Sequence, residues 1–120
     1  MASLCEELRV PYIVRRTRLW EVVFEERREA NPCSLCARMR RGALHASAKE
    51  AGCSFVALGH HKNDAAETFL MNLLAGGTLA CFSPKSYLDR RELTLIRPLI
   101  FAQEADITRC AERAALPVVK

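Results

Sequence analysis

The stretch Phe55-Val56-Ala57-Leu58-Gly59-His60-His61-Lys62-Asn63-Asp64-Ala65-Ala66-Glu67-Thr68 decides how the chain is read. Its first four residues form an unbroken apolar run, the pattern of a buried strand. Beyond the polar turn, Phe69, Leu70, Leu73 and Leu74 recur at helical spacing. A buried strand running straight into a helix is part of a parallel α/β sheet, and ligands gather where such strands end. Asn63 or Asp64 is placed to cap the helix, and the turn offers backbone N–H groups at a partly positive helix end. Capping alone would account for Asp64, with the histidines solvated. Two adjacent histidines and an acid at one strand end favour a site.

Working outward, the residues after the turn predict a helix over 64–75, closed by Gly76-Gly77. Residues 84–89 and Leu93-Thr94-Leu95-Ile96 predict a β-ribbon turned at Asp89-Arg90-Arg91-Glu92. A helix over 103–115 should bury Ile107, Cys110, Ala111 and Ala114, and Leu116 starts a last strand. Upstream, Pro32-Cys33-Ser34 opens a helix to about Ala51, with Gly52 as its stop and Leu35, Met39, Ala43, Ala46 and Glu50 on one stripe. That stripe is suited to packing on a sheet, in which residues 54–58 are the central strand. Leu19 to Phe24 is a buried strand or a helical turn, and the charged tail after it favours a helix ending near Ala30. Tyr12-Ile13-Val14 reads as a strand, and residues 2–9 as a short helix with Leu4 and Leu8 on one side. Trp20 and Phe24 read as core. Helix and strand alternate, so the class is α/β, a Rossmann-like, mainly parallel sheet flanked by helices. A chain that begins in a helix remnant and stops in a strand is expected to be part of something longer, with one incomplete domain over 1–120.

Composition excludes more than it proves. Half the 120 residues are hydrophobic and 27% are charged, which is ordinary for a globular protein. There is no apolar run of the ~20 residues that a membrane span needs. The first residues carry no basic flank and no secretory core, so the expected compartment is the cytoplasm. The net charge of +4 does not by itself demand nucleic acid, although Arg38, Arg40 and Arg41 cluster and Lys85, Arg90, Arg91 and Arg97 follow. Of six cysteines, Cys5, Cys53, Cys81 and Cys110 sit in apolar or helical surroundings and read as small buried hydrophobes.

Cys33 and Cys36 differ, because they form the sequence's only CxxC pair and open a helix. Thiols at helix N-termini are held more readily as thiolates, which suits metal ligation or redox chemistry. The residues alone leave three readings open: an iron–sulfur or zinc site, a redox pair, or a structural role.

The turn from Gly59 to Phe69 resembles the GHHxxDxxET(F) signature of the PP-loop ATP pyrophosphatases that modify tRNA. Two branches share it, the tRNA-lysidine synthetases and the tRNA 2-thiocytidine synthetases. Cys33-Ser34-Leu35-Cys36-Ala37-Arg38-Met39-Arg40-Arg41-Gly42 is similar to the CSLCxRxRRG of the thiolation branch, and Ile96-Arg97-Pro98-Leu99 to the family's RPL element. The resemblance covers roughly residues 30–120. It implies a cytoplasmic tRNA sulfurtransferase that binds ATP, Mg²⁺ and a 4Fe-4S cluster. Such an enzyme adenylates the carbonyl oxygen of an anticodon-loop cytidine and then replaces that oxygen with sulfur. The sulfur comes from a cysteine desulfurase or from sulfide, and the protein is expected as a homodimer.

By the same resemblance, Cys33 and Cys36 hold the cluster, and Asp64 places Mg²⁺ or does acid–base work. Gly59, His60 and Arg97 meet the nucleotide, Arg40 serves catalysis, and Arg38 and Arg41 clamp RNA. Solvated helix faces explain Arg38 and Arg41 as well, and a salt bridge at a strand end explains Arg97. Glu67 is expected to orient the turn and Lys62 to face solvent. The pattern departs from the family in two places. A third cluster cysteine would lie beyond Lys120, and neither Cys81 nor Cys110 stands at its position. The SGGxDS-like phosphate loop does not occur either, since Gly76-Gly77 lacks its Ser and Asp. The expectation is a chain truncated at both ends, inactive alone, with exposed strand edges that invite aggregation. The sister tRNA 2-thiouridine synthetases, lysidine synthesis and a non-catalytic relic are the alternatives. The reading requires the thiol pair and Asp64 to face a common cavity.

Overall fold

A computed structural model describes residues 1–26 and 32–118. The chain divides into two units, Met1–Ser54 and Phe55–Lys120.

In the second unit the apolar run forms β1 (Phe55–Ala57), which lies parallel to β3 (Leu93–Ile96) with Val56 opposite Leu95. The ribbon is found as expected. β2 (Lys85–Leu88) runs antiparallel to β3, and the two are joined through a 3₁₀ turn at Asp89–Arg91. Glu92 closes that turn at φ 49, a left-handed conformation that non-glycine residues seldom adopt. The strand order is β1-β3-β2, so the α/β class holds with a small mixed sheet. The expected central strand, β1, therefore stands at an edge among the described residues. The central place belongs to β3, whose Leu93 and Leu95 alternate onto the buried face. With Val56 and Ile100 they form this unit's core. Removing a side chain such as Leu93 from water contributes about 1.5–3 kcal/mol.

Helix α3 (Lys62–Gly76) begins two residues before the expected start. It ends at Gly77, φ 60, where Gly77 N–H donates to the Leu73 carbonyl and Thr78 N–H to that of Asn72. Only glycine takes that left-handed position without steric cost. Helix α4 (Glu104–Arg113) is present, but its expected buried face is only half covered. Ile107 and Ala111 are half-buried, while Cys110 and Ala114 are exposed. Periodicity names a face without saying what covers it. The expected strand at Leu116 is absent from residues 116–118, because Leu116 N–H donates back to the Ala111 carbonyl after Ala115 turns at φ 49. Residues 119–120 lie outside the described residues.

In the first unit, α1 (Ala2–Glu7) is as expected. Tyr12-Ile13-Val14 is not a strand: among the described residues it has no ladder partner, and Ile13 and Val14 are exposed. β-branched residues favour extended backbone, but a strand also needs a neighbour to bond. Arg15 ties this segment to Glu50 through an ion pair. Leu19 to Phe24 is helical, passing into a π-helical turn at Glu21–Glu26. Val23 is fully buried there, whereas Trp20 and Phe24, expected in the core, stack on each other at 4.2 Å and are exposed. The expected end near Ala30 lies outside the described residues.

Helix α2 (Pro32–Glu50) starts on proline, whose missing N–H is no loss at a first helical position, and stops before Gly52 at φ 72. It packs against the π-helical turn. Leu35 and His45 are its buried residues, Met39, Ala43 and Ala46 are half-buried, and Glu50 is exposed. The cysteines overturn another expectation. All six are free, Cys53, Cys81 and Cys110 are exposed, and Cys5 is half-buried. Among the described residues no helix is long and apolar enough to cross a membrane.

Candidate functional site

Where the parallel strands β1 and β3 end, three segments meet. Leu58 N–H donates to the carbonyl of Ile96, the last residue of β3, at 2.9 Å, continuing the β1–β3 ladder one residue past the end of β1. Arg97 N–H donates to the Pro84 carbonyl at 2.9 Å, continuing β2–β3 toward the same edge. Gly59, His60 and Arg97 thus project from one carboxyl-terminal edge, where open α/β sheets bind ligands. The structure brings these three candidates to one strand end.

The side chains make that edge specific. The rings of His60 and Phe82 lie 4.8 Å apart, and the Arg97 guanidinium carbon lies 4.8 Å from the centre of the same Phe82 ring. Arg97 Nη1 donates to the Ser83 carbonyl at 2.5 Å. Among the described residues Arg97 has no carboxylate partner, so a surface salt bridge does not explain it. Three polar atoms at this edge, His60 Nδ1, His61 Nδ1 and Arg97 Nε, are buried without a hydrogen-bond partner. Leaving such a group unmet costs about 1–3 kcal/mol, and a polar ligand or water reaching it would recover that. Around Gly59 the space is open, since a β-carbon there would meet no atom within 4 Å.

The turn itself departs from expectation. Neither Asn63 nor Asp64 is the N-cap; His61 is, and both lie within the first turn of α3. Asp64 reaches back from the third helical position, its carboxylate accepting the His61 N–H at 2.8 Å with His61 Nδ1 3.5 Å away. An acid at that position satisfies a free donor and complements the helix dipole. Asn63 Oδ1 instead accepts the N–H of Glu104 at 3.4 Å, serving the start of α4, while Lys62 N–H donates to the Ala102 carbonyl at 2.9 Å. Two of the turn's N–H groups, those of His61 and Lys62, are therefore already engaged. Glu67, the residue expected to orient the turn, is exposed; Asp64 does that work. Glu67 and Lys62 line a shallow hollow of about 400 Å³ with Asn63, Ala66, Leu70 and Gln103. Lys62 is solvent-facing as expected.

The other candidate residues lie in the first unit, on α2. Cys33 and Cys36 share the first turn three residues apart, Cys33 exposed and Cys36 half-buried. Arg40 follows Cys36 by four residues and so falls on the same stripe of the helix, while Arg38 and Arg41 pair on a neighbouring face. All three arginines are exposed. The resemblance expects these two thiols to be metal ligands; among the described residues no group of three His, Cys, Asp or Glu side chains could hold an ion. Phe82 is the member of the sheet-edge cluster that sequence reasoning missed. A single aromatic between Cys81 and Ser83 carries no periodic signal, and only the tertiary fold brings it to His60.

Comparison with known proteins bears on both regions. The PP-loop domain family matches residues 1–120. The chain is 43% identical over 111 residues to the tRNA-cytidine(32) 2-sulfurtransferase of Paracoccus denitrificans, covering 92% of this chain and 37% of that one. It is 48% identical over 87 residues to the protein of that name from Alkalilimnicola ehrlichii, covering 72% and 28%. For that from Chelativorans sp. the values are 41% over 113 residues, 93% and 40%. The chain spans 28% to 40% of the length of these curated relatives.

Proposed function

The chain belongs to the PP-loop domain family, and from that membership we propose that it serves ATP-dependent thiolation of a tRNA cytidine. The observation that carries this reading is the sheet edge, where His60 and Arg97 each leave a buried polar atom without a partner beside an open Gly59. Nothing in the described protein demands a glycine there, which favours close approach of a ligand as its reason. The names of the relatives support cytidine as the base.

In this reading Gly59, His60 and Arg97 receive ATP. The cytidine carbonyl oxygen attacks the α-phosphorus, the P–O bond to pyrophosphate breaks, and the base becomes an adenylated leaving group. Sulfur then attacks the activated carbon and AMP departs with the original oxygen. Charge that builds on the phosphates in the first step must be neutralised. Arg97 contributes a guanidinium, and Asp64 is the carboxylate through which Mg²⁺, which supplies the rest, would be held. A single carboxylate suits Mg²⁺, which is commonly bound through one or two carboxylates and the substrate's phosphates.

Cys33 and Cys36 would supply two ligands to a 4Fe-4S cluster, which would hold the sulfur for transfer. Arg40, on the same helical stripe, is suited to the charge of the adenylate, and Arg38 and Arg41 to tRNA phosphate. A cysteine desulfurase or sulfide is the donor in this reading. The free thiols accord with a cytoplasmic setting, and a homodimer is part of the same reading.

The test is nucleoside mass spectrometry of tRNA from a strain lacking the gene. Loss of 2-thiocytidine, restored by the gene, is the expected result. Loss of 2-thiouridine or lysidine instead would move the assignment to a sister enzyme, and an unchanged profile would leave a non-catalytic protein.

A further inference from the structure

We infer that Phe82 is a positioning residue for the nucleotide, holding His60 and Arg97 in the arrangement that ATP meets; the inference rests on the proposed function. The ring contacts both, at 4.8 Å from the His60 ring and 4.8 Å from the Arg97 guanidinium carbon. The His60 ring is tilted by 39° to Phe82. No hydrogen bond links His60 to Arg97 among the described residues, so this aromatic ring is the contact they share.

The backbone that carries Phe82 is pinned on both sides. Asn72 Nδ2 donates to the Ala80 carbonyl at 2.8 Å, and the Cys81 thiol to the Ala65 carbonyl at 3.2 Å, which lays the segment back along α3. On the far side, Ser83 accepts from Arg97 Nη1 and Pro84 from Arg97 N–H. Residues 80–84 are thus bound to α3 at one end and to the end of β3 at the other. Phe82 is delivered between two elements whose polar side chains converge.

Its chemistry suits that place. A ring face attracts the guanidinium without taking any of its N–H donors. An anionic partner in the same position would engage those donors and compete with phosphate. The guanidinium is oriented by its one bond to Ser83 and by the ring, with Nε left unmet. A ring that served only as apolar filler could be replaced by any side chain of similar bulk. A positioning ring could be replaced only by another ring.

The experiment compares Phe82→Leu and Phe82→Tyr in the full chain with wild type, with Phe82→Met in place of Phe82→Leu should the latter not fold. Two readouts are taken, solvent exchange of the Arg97 Nε–H by NMR and ATP affinity by calorimetry, with the unfolding midpoint as a control. Phe82→Leu should speed Nε–H exchange about tenfold and weaken ATP binding by about 3- to 30-fold, the range that a cation–π contact spans from exposed to desolvated settings. Phe82→Tyr should stay within about twofold on both. The inference is overturned if Phe82→Leu leaves either readout at the wild-type value, or if Leu and Tyr weaken binding equally. Should the wild-type chain bind no ATP, the proposed function fails for this chain, and Nε–H exchange alone decides whether Phe82 holds Arg97.

Discussion

The two candidate regions are built in opposite ways. At the sheet edge, each polar residue is fixed by the fold. Asp64 holds the His61 N–H, Asn63 reaches α4, and Arg97 lies between Ser83 and Phe82. On α2, by contrast, neither Cys33 nor Cys36 has a hydrogen-bond partner among the described residues, and Arg38, Arg40 and Arg41 project from an exposed face. A site for a nucleotide benefits from donors arranged before binding, because no reorganisation is then needed as charge develops. A metal site need not be prearranged, since ligation itself supplies the ordering free energy. The contrast therefore separates polar groups that the fold already holds from thiols that no hydrogen bond fixes among the described residues, as the proposed nucleotide and cluster would each require.

The largest expected effect breaks the thiol region alone. Cys33→Ala or Cys36→Ala should abolish the visible absorption of the reconstituted 4Fe-4S cluster in anaerobic preparations, while ATP affinity changes by less than about twofold, since the proposed function gives neither thiol a contact with the nucleotide. A cluster of unchanged intensity in either variant would remove these cysteines from its ligands. Next is Asp64→Ala. It removes both the anchor of His61 and the carboxylate assigned to Mg²⁺, so Mg²⁺-dependent ATP binding should weaken by about tenfold or more. Asp64→Asn separates the two roles, because its amide oxygen still accepts the His61 N–H. If Asn binds ATP and Mg²⁺ like wild type, Asp64 is a capping residue only.

A smaller effect concerns Arg38 and Arg41. If they contact tRNA phosphate, Arg41→Ala should lower the slope of log affinity against log salt by about 1, with a similar step for Arg38→Ala. A slope equal to wild type in both would make this face merely solvated.

Much of this was legible in the residues, and the failures share a cause. The strand at Phe55–Ala57, the helix after it and the ribbon at Asp89 follow the sequence pattern, because local pattern determines local backbone; the expected burial of that strand does not hold, since it stands at an edge among the described residues with Phe55 and Ala57 exposed. The grouping of Gly59, His60 and Arg97 followed from motif resemblance, and parallel pairing of β1 with β3 supplies its physical basis. What failed depended on neighbours. Among the described residues, Tyr12-Ile13-Val14 has strand composition and no strand to pair with, and Trp20 and Phe24 have core composition and stay exposed. Asn63 and Asp64 were both plausible caps. Asp64 finds its donor within the turn, at His61, but the donor that Asn63 satisfies comes from α4, 41 residues away, which no window around the turn contains.

That long-range contact gives the smallest and most diagnostic prediction. Asn63→Ala removes the acceptor for the first N–H of α4 without touching the strand ends. The Asn63–Glu104 bond is long, at 3.4 Å, and exposed, so the loss should sit at the low end of capping effects, about 0.5–1 kcal/mol. For a domain of this size that corresponds to roughly 2–8 °C in the unfolding midpoint. Asn63→Asp keeps the oxygen and adds charge at a helix N-terminus, so it should be neutral or slightly stabilising. If ATP affinity stays constant across both variants while the midpoint moves, Asn63 belongs to the scaffold that holds the turn. If affinity falls with Asn63→Ala at an unchanged midpoint, Asn63 belongs to the ligand site, and the prearranged edge reaches one residue further along α3 than the geometry of His60 and Arg97 indicates.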